Sequence, residues 1–102
     1  MNDPILSRLG MARRAGLVSP GFECVKSSLK ANVAKLVIIA SDVSAKTEKE
    51  VRYFSGGKVP VVRIDKTIFE ITNAIGTKAG VVSVNDDGFA KAILKNLPEE
   101  QL

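Results

Sequence analysis

The residues best placed to do chemistry lie between Gly21 and Ser44. Gly21 opens an amphipathic stretch, Phe22-Glu23-Cys24-Val25-Lys26-Ser27-Ser28-Leu29-Lys30. After Ala31-Asn32, an apolar run from Leu36 to Ala40 ends in Ser41-Asp42-Val43-Ser44. A helix whose amide end is exposed by a glycine, beside the carboxyl end of a buried strand, can hold an anion: the first amides are unpaired and the helix dipole is positive there. Glu23, Lys26, Ser27 and Lys30 fall on faces not needed for the core, so they can meet a ligand. The plainer reading of Gly21 is a Pro-Gly turn before an ordinary helix, and of Asp42 and Ser44 plain helix capping.

A third stretch with small residues is Ile75-Gly76-Thr77-Lys78-Ala79-Gly80-Val81. Two glycines let its backbone approach a flat surface, Lys78 adds charge, and a connecting loop with a glycine cap is the ordinary alternative. Arg13, Arg14, Lys46, Lys49, Arg52 and Lys58 can form a basic surface or simply solvate helix faces. Lys plus Arg number 15 against 11 Asp plus Glu, for a net charge of +4. That balance permits a nucleic acid or another anionic partner without requiring one.

Much chemistry is excluded. There is no histidine and a single cysteine, Cys24. Histidine-based acid–base or triad catalysis, an internal disulfide and a Cys/His zinc site are therefore not available. No phosphate-binding GxxxxGK[ST] loop, GxGxxG turn or HExxH helix occurs. No cofactor and no small-molecule substrate are expected. Cys24, among Phe22, Val25 and Leu29, is expected to be a buried apolar residue. The start, Met1-Asn2-Asp3-Pro4, is unlike a secretory leader, and no apolar run approaches membrane-spanning length. A soluble, cytoplasmic, monomeric protein is expected.

The positioning elements follow from caps and periodicity. Asp3-Pro4 starts a helix carrying Ile5, Leu6, Leu9 and Ala12 and stopped by Gly16. Leu17-Val18-Ser19 is a short extended piece before Pro20. The next helix runs from Gly21 to Lys30 and is expected to bury Phe22, Val25 and Leu29. The run from Leu36 to Ala40 reads as a central strand, since continuous apolarity implies cover on both faces. Asp42 or Ser44 caps a helix through Glu48, Val51 and Phe54, ended by Gly56-Gly57. Val59 to Ile64 is a strand with Pro60 near its start, as an edge requires. Asp65 caps a helix with Ile68, Phe69, Ile71 and Ile75. Gly80 to Val84 is another strand, and Asp86 or Asp87 caps a last helix ended by Pro98. The predicted fold is α/β: a single domain over residues 1–102, a three-layer α/β/α sandwich with a central mixed sheet of about four strands.

Taken in order, these pieces resemble a known family. Gly21 opening a helix, Ala34 to Ser44, Val59-Pro60-Val61-Val62, Ala74-Ile75-Gly76 and Gly80 to Val84 are similar to the kink-turn-binding ribosomal protein superfamily, which includes large-subunit proteins L-seven-Ae and L-thirty-e. The opening Leu9-Gly10-Met11-Ala12-Arg13-Arg14-Ala15-Gly16-Leu17-Val18 most resembles its bacterial YlxQ-type branch. The resemblance implies binding to structured, sharply bent RNA, of which ribosomal RNA is one source. It places Gly21 and the helix start in the widened groove, the Gly76–Val81 loop over splayed nucleotides, and Asp42 and Val43 beside them. Phe22, Glu23 and Cys24 stand where Thr-Asn-Glu is usual, and Ser27 where a lysine is expected. The RNA contacts expected are Gly21, Phe22, Glu23, Cys24, Lys26, Ser27, Lys30, Asp42, Val43, Lys46, Gly76, Lys78, Ala79, Gly80 and Val81. The rival is a protein-interaction module that keeps the fold and lacks RNA binding.

Overall fold

A computed structural model describes residues 3–97. The order is α1 (Pro4–Arg14), β1 (Val18–Pro20), α2 (Phe22–Lys30), β2 (Leu36–Ile39), α3 (Ala45–Ser55), β3 (Val61–Arg63), α4 (Ile68–Ile75), β4 (Val81–Val84) and α5 (Asp87–Lys95). The strands form one sheet ordered β1-β4-β2-β3. β4 pairs antiparallel with both β1 and β2, whereas β2 pairs parallel with β3. This is the expected mixed four-stranded sheet. Helices α1, α4 and α5 pack together, as do α2 and α3, which makes the three layers.

Both central strands, β2 and β4, are buried at every position. That explains why their sequences are continuous apolar runs rather than alternating ones. Pro20 lies in β1, an edge strand, where its missing amide costs no sheet hydrogen bond. Ser83 is the exception inside β4, with no solvent exposure. Its hydroxyl donates to Asn85 Oδ1 at 2.9 Å, Asn85 Nδ2 donates to Ser19 Oγ at 2.9 Å, and Ser19 Oγ lies 2.5 Å from Ser28 Oγ. This chain of hydroxyls ties β1, β4 and α2 together beneath the α2 layer. Replacing Asn85 by Leu leaves these hydroxyls short of a partner. The variant is expected to lose about 1–3 kcal/mol in urea unfolding, because a buried polar group keeps its desolvation cost when its partner goes; an unchanged midpoint would show the network contributes nothing.

Caps depart from the sequence reading in an instructive way. Asp3 caps α1 through the Ile5 and Leu6 amides, Ser44 caps α3 and Asp86 caps α5. Asp65, expected to cap α4, does not: Thr67 does, in a reciprocal capping box with Glu70. The helix starts two residues later than expected because Thr-x-x-Glu satisfies two amides at once. β3 is shorter than the expected Val59–Ile64 strand and spans Val61–Arg63, after Pro60. In α2, Val25 and Ser28 are the buried residues, while Phe22 and Leu29 are only half-buried. Cys24 is exposed, contrary to expectation: α2 covers a narrow strip of the sheet, and Cys24 lies on its outward side. The expected stop at Pro98 lies outside the described residues.

Candidate nucleic-acid interface

Alone among the five helices described, α2 has no side-chain cap. Its cap position is Gly21, with φ 87° and ψ 155°, a backbone conformation open essentially to glycine. The first-turn amides of α2 therefore have no capping oxygen, and the positive end of the helix is bare.

Hydrogen bonds fix two other segments to this end. The Gly21 amide donates to the Val81 carbonyl at 2.8 Å, which joins the α2 start to the end of the Gly76–Val81 loop. The Ala40 amide donates to the Gly80 carbonyl at 2.8 Å, which joins that loop to the exit of β2. Asp42 caps a helix, but not its own: Oδ1 accepts from the Ile68 amide at 2.8 Å, at the start of α4. Gly80 is required here by space rather than by φ. A Cβ on it would lie 2.8 Å from Val43 Cγ2 and 3.0 Å from Ile68 Cγ1.

The Ser41–Ser44 loop is held from below. Arg63, at the end of β3, donates through Nη2 to the Ser41 and Val43 carbonyls at 2.7 and 2.6 Å. Its Nη1 donates to Glu48, whose other oxygen accepts from Arg52 Nε at 2.9 Å. Arg52 hydrogen-bonding, opposed by partial burial and reinforced by Arg63, holds the Glu48 carboxyl below the usual carboxylate range. Burial works to raise the Asp3 carboxyl, but Lys66 at 2.8 Å and the Leu6 amide outweigh it, so that group too is lowered. A carboxyl with a depressed folded-state pKa adds stability above its unfolded value, and this is lost as pH falls through the folded value. Thermal stability should thus drop from about pH 5 towards about pH 3, and Glu48→Gln should flatten that drop in melts recorded across the range. An identical pH slope in the variant would remove Glu48 as a contributor.

Six of the expected contact residues line one hollow of about 310 Å³: Gly21, Phe22, Asp42, Val43, Gly80 and Val81. Ser44, Thr47 and Ile68 complete it; Ile68 in particular was hidden in the sequence, where it reads as a core residue of α4. Gly76 caps α4 with φ 77°. Next to it, Lys78 is exposed and Ala79 is buried, with the Ala79 amide on Thr72 Oγ1 at 3.3 Å. Arg13 steadies the same loop by donating to Thr77 Oγ1 at 3.2 Å. Lys46 is exposed in the first turn of α3, two residues after its cap. Glu23, Cys24 and Ser27 are exposed along the outer side of α2, and the Ser27 hydroxyl donates back to the Glu23 carbonyl at 3.2 Å.

Two lysines sit elsewhere than expected. Lys26 is half-buried, 3.1 Å from Glu23, with Nζ 4.9 Å and 5.0 Å from the ring centres of Phe22 and Phe54. Its ammonium rests on aromatic faces rather than taking the outward place of Ser27. Lys30 is the last residue of α2 and lines a different hollow, with Lys35 and Lys58, at the far end of that helix. It does not join the loop cluster. Among the described residues, no group of His, Cys, Asp and Glu could hold a metal ion, and no helix is long and apolar enough to cross a membrane.

The chain is a compact α/β protein, a three-layer sandwich with an uncapped helix and two loops joined at one end. Solved structures with this architecture include a protein with unknown function from Bacillus halodurans C, with TM-score 0.86 and 29% identity over 93% of this chain and 97% of that one. Another is the 15.5kD RNA binding protein of Giardia lamblia, with TM-score 0.70 and 18% identity over 91% of this chain and 81% of that one; at that identity the likeness is one of fold. The chain belongs to the Ribosomal protein L7Ae/L30e/S12e/Gadd45 family, whose sequence pattern matches residues 3–94. It is 34% identical to the RNA-binding protein YlxQ of Enterococcus faecium, over 84% of either chain. It is also 34% identical to the protein of that name from Bacillus subtilis (strain 168), over 87% of this chain and 90% of that one.

Proposed function

We propose that this protein binds RNA, and that its target is a kink-turn or a similarly bent duplex in ribosomal or other structured RNA. The observation that carries the reading is the convergence of the bare α2 amides with the Asp42–Ser44 and Gly76–Val81 loops on one end of a rigid sandwich. The RNA-binding names of the two YlxQ relatives support it. Backbone amides at the start of α2 meet a phosphate, helped by the helix dipole and by Lys46 and Lys78. Glu23, an exposed carboxylate, accepts from the Watson–Crick edge of a guanine. Val43, Gly80, Val81 and Ile68 offer a small apolar floor for a base turned out of the stack. With no polar group on Phe22 and only a weak S–H donor on Cys24, recognition rests on shape and backbone more than on base edges.

A rigid face of this kind stabilises the bend by binding it better than the straight form. Titration of a labelled kink-turn RNA and a straight duplex of equal length should show the bent RNA preferred by at least about tenfold, the order of a coupling of 1.4 kcal/mol. Equal dissociation constants would end the proposal of bend recognition. Loss of all binding to either RNA would end that of RNA binding.

A further inference from the structure

The outer surface of the α2–α3 layer carries two concentrations that the loop cluster does not use. The chain has four phenylalanines and one tyrosine, and three of these five rings touch one another here. Phe22 and Phe54 are 5.9 Å apart at 75°, and Phe54 and Tyr53 are 5.7 Å apart at 86°. Phe22 is half-buried against the core, whereas Tyr53 is 82% and Phe54 44% exposed. Beyond them, at the carboxyl ends of α2 and α3, is a second hollow of about 650 Å³. Four lysines line it (Lys26, Lys30, Lys35 and Lys58) against a single acid, Asp87. The hollow is therefore strongly basic even with Lys26 paired to Glu23. The two helix carboxyl ends bring roughly half a negative charge each, which the lysines outweigh.

The surfaces are continuous. Phe22 lines the loop-cluster hollow and packs on Phe54, while Phe54 and Lys26 line the basic one. The rings stand beside the track from the bare amides to the lysines. α2, with nine residues, makes that track roughly 13 Å long, a reach of two or three nucleotides. A duplex hides its base faces; an unpaired strand offers both base faces for stacking and phosphates for lysines.

We infer that this stripe is a second RNA-contact surface, which takes a single strand leaving the bend. Tyr53 and Phe54 supply a stacking platform, and Lys30, Lys35 and Lys58 take the phosphates. Lys26, seated on both phenyl rings, links the platform to the loop cluster. The inference rests on the RNA-binding reading above, and its measurement is separable from that of the bend.

The test uses bent and straight duplexes, each blunt or carrying a tail of about six uridines on one strand end, with each end tailed in turn. The bend is read from bent against straight at blunt ends, and the stripe from tailed against blunt on the same duplex. At least one tail should tighten binding by about tenfold, within the range for stacking one or two bases. That gain should vanish in Tyr53→Ala and in the triple variant Lys30→Ala, Lys35→Ala, Lys58→Ala, while blunt-duplex affinity stays within about twofold in Tyr53→Ala. The triple variant should also lower the salt slope of tailed binding by about two, as phosphate contacts are lost. No gain from either tail, or a gain that survives in both variants, would overturn the inference even if the bent duplex is strongly preferred. All four substituted side chains are exposed, so folding is retained, with the circular dichroism melt as the control.

Discussion

Gly21→Ala should weaken binding to a kink-turn RNA by at least about thirtyfold and lower the melting temperature at the same time. The two losses have separate causes. At φ 87° and ψ 155° an alanine costs about 1–3 kcal/mol of backbone strain. For a domain of this size that is a melting shift of about 4–8 °C per kcal/mol. Inside the protein the new methyl meets nothing within 4 Å, so no clash adds to this. It points instead into open space beside the bare amides, where the RNA backbone is proposed to lie. The binding loss should therefore exceed what unfolding removes. Glu23→Ala, on the exposed outer side of the same helix, separates the effects: its melt should be unchanged and its bent-RNA affinity should fall modestly. If Gly21→Ala bound RNA normally once its folded fraction was accounted for, the helix tip would not be part of the interface.

The second large effect is expected at Arg63. Its guanidinium holds two carbonyls of the Ser41–Ser44 loop and the Glu48 carboxylate together. Arg63→Ala should cost about 2 kcal/mol, a value at the modest end for charged hydrogen bonds because the side chain is partly exposed. The loop should also loosen, so bent-RNA binding should fall although Arg63 is proposed to touch no RNA. Arg63→Lys should rescue little, because an ammonium cannot span two carbonyls and a carboxylate with a planar fork. A double-mutant cycle with Glu48→Ala measures the coupling directly. If Arg63→Lys matched the wild type in both melting and binding, any cation in that place would suffice and the fork geometry would not matter.

The elements were legible where one local cause sufficed. The apolar run of β2, and that of β4 broken only by Ser83, show their central places, because strands covered on both faces lack an alternating polar face. Asp3-Pro4 marks the start of α1, and Gly56 and Gly76 mark helix ends in the left-handed conformation. The misreadings share a different origin, in partners far along the chain. Asp42 looks like a cap for the helix just after it, and instead serves Ile68 in α4. The places of Lys26 and Lys30 also depend on distant partners: one lies on two aromatic rings and the other lines the hollow at the far end of α2. Cys24 looks apolar and buried, but how wide a strip a helix covers depends on what it packs against. The convergence of the three segments was anticipated only from their order and the family resemblance; spacing alone could not locate Arg63 beneath them.

The bond from Gly21 to Val81 has a bearing on how the protein comes into being. The helix tip is synthesised about sixty residues before the segment that fastens it. Contacts between parts so distant in the chain form late and together, at the cost of closing a long loop. A nascent chain from which β4 has not yet emerged carries the α2 amides and lysines without the bond that seats them. The proposed face would then become complete in a single step, once β4 pairs.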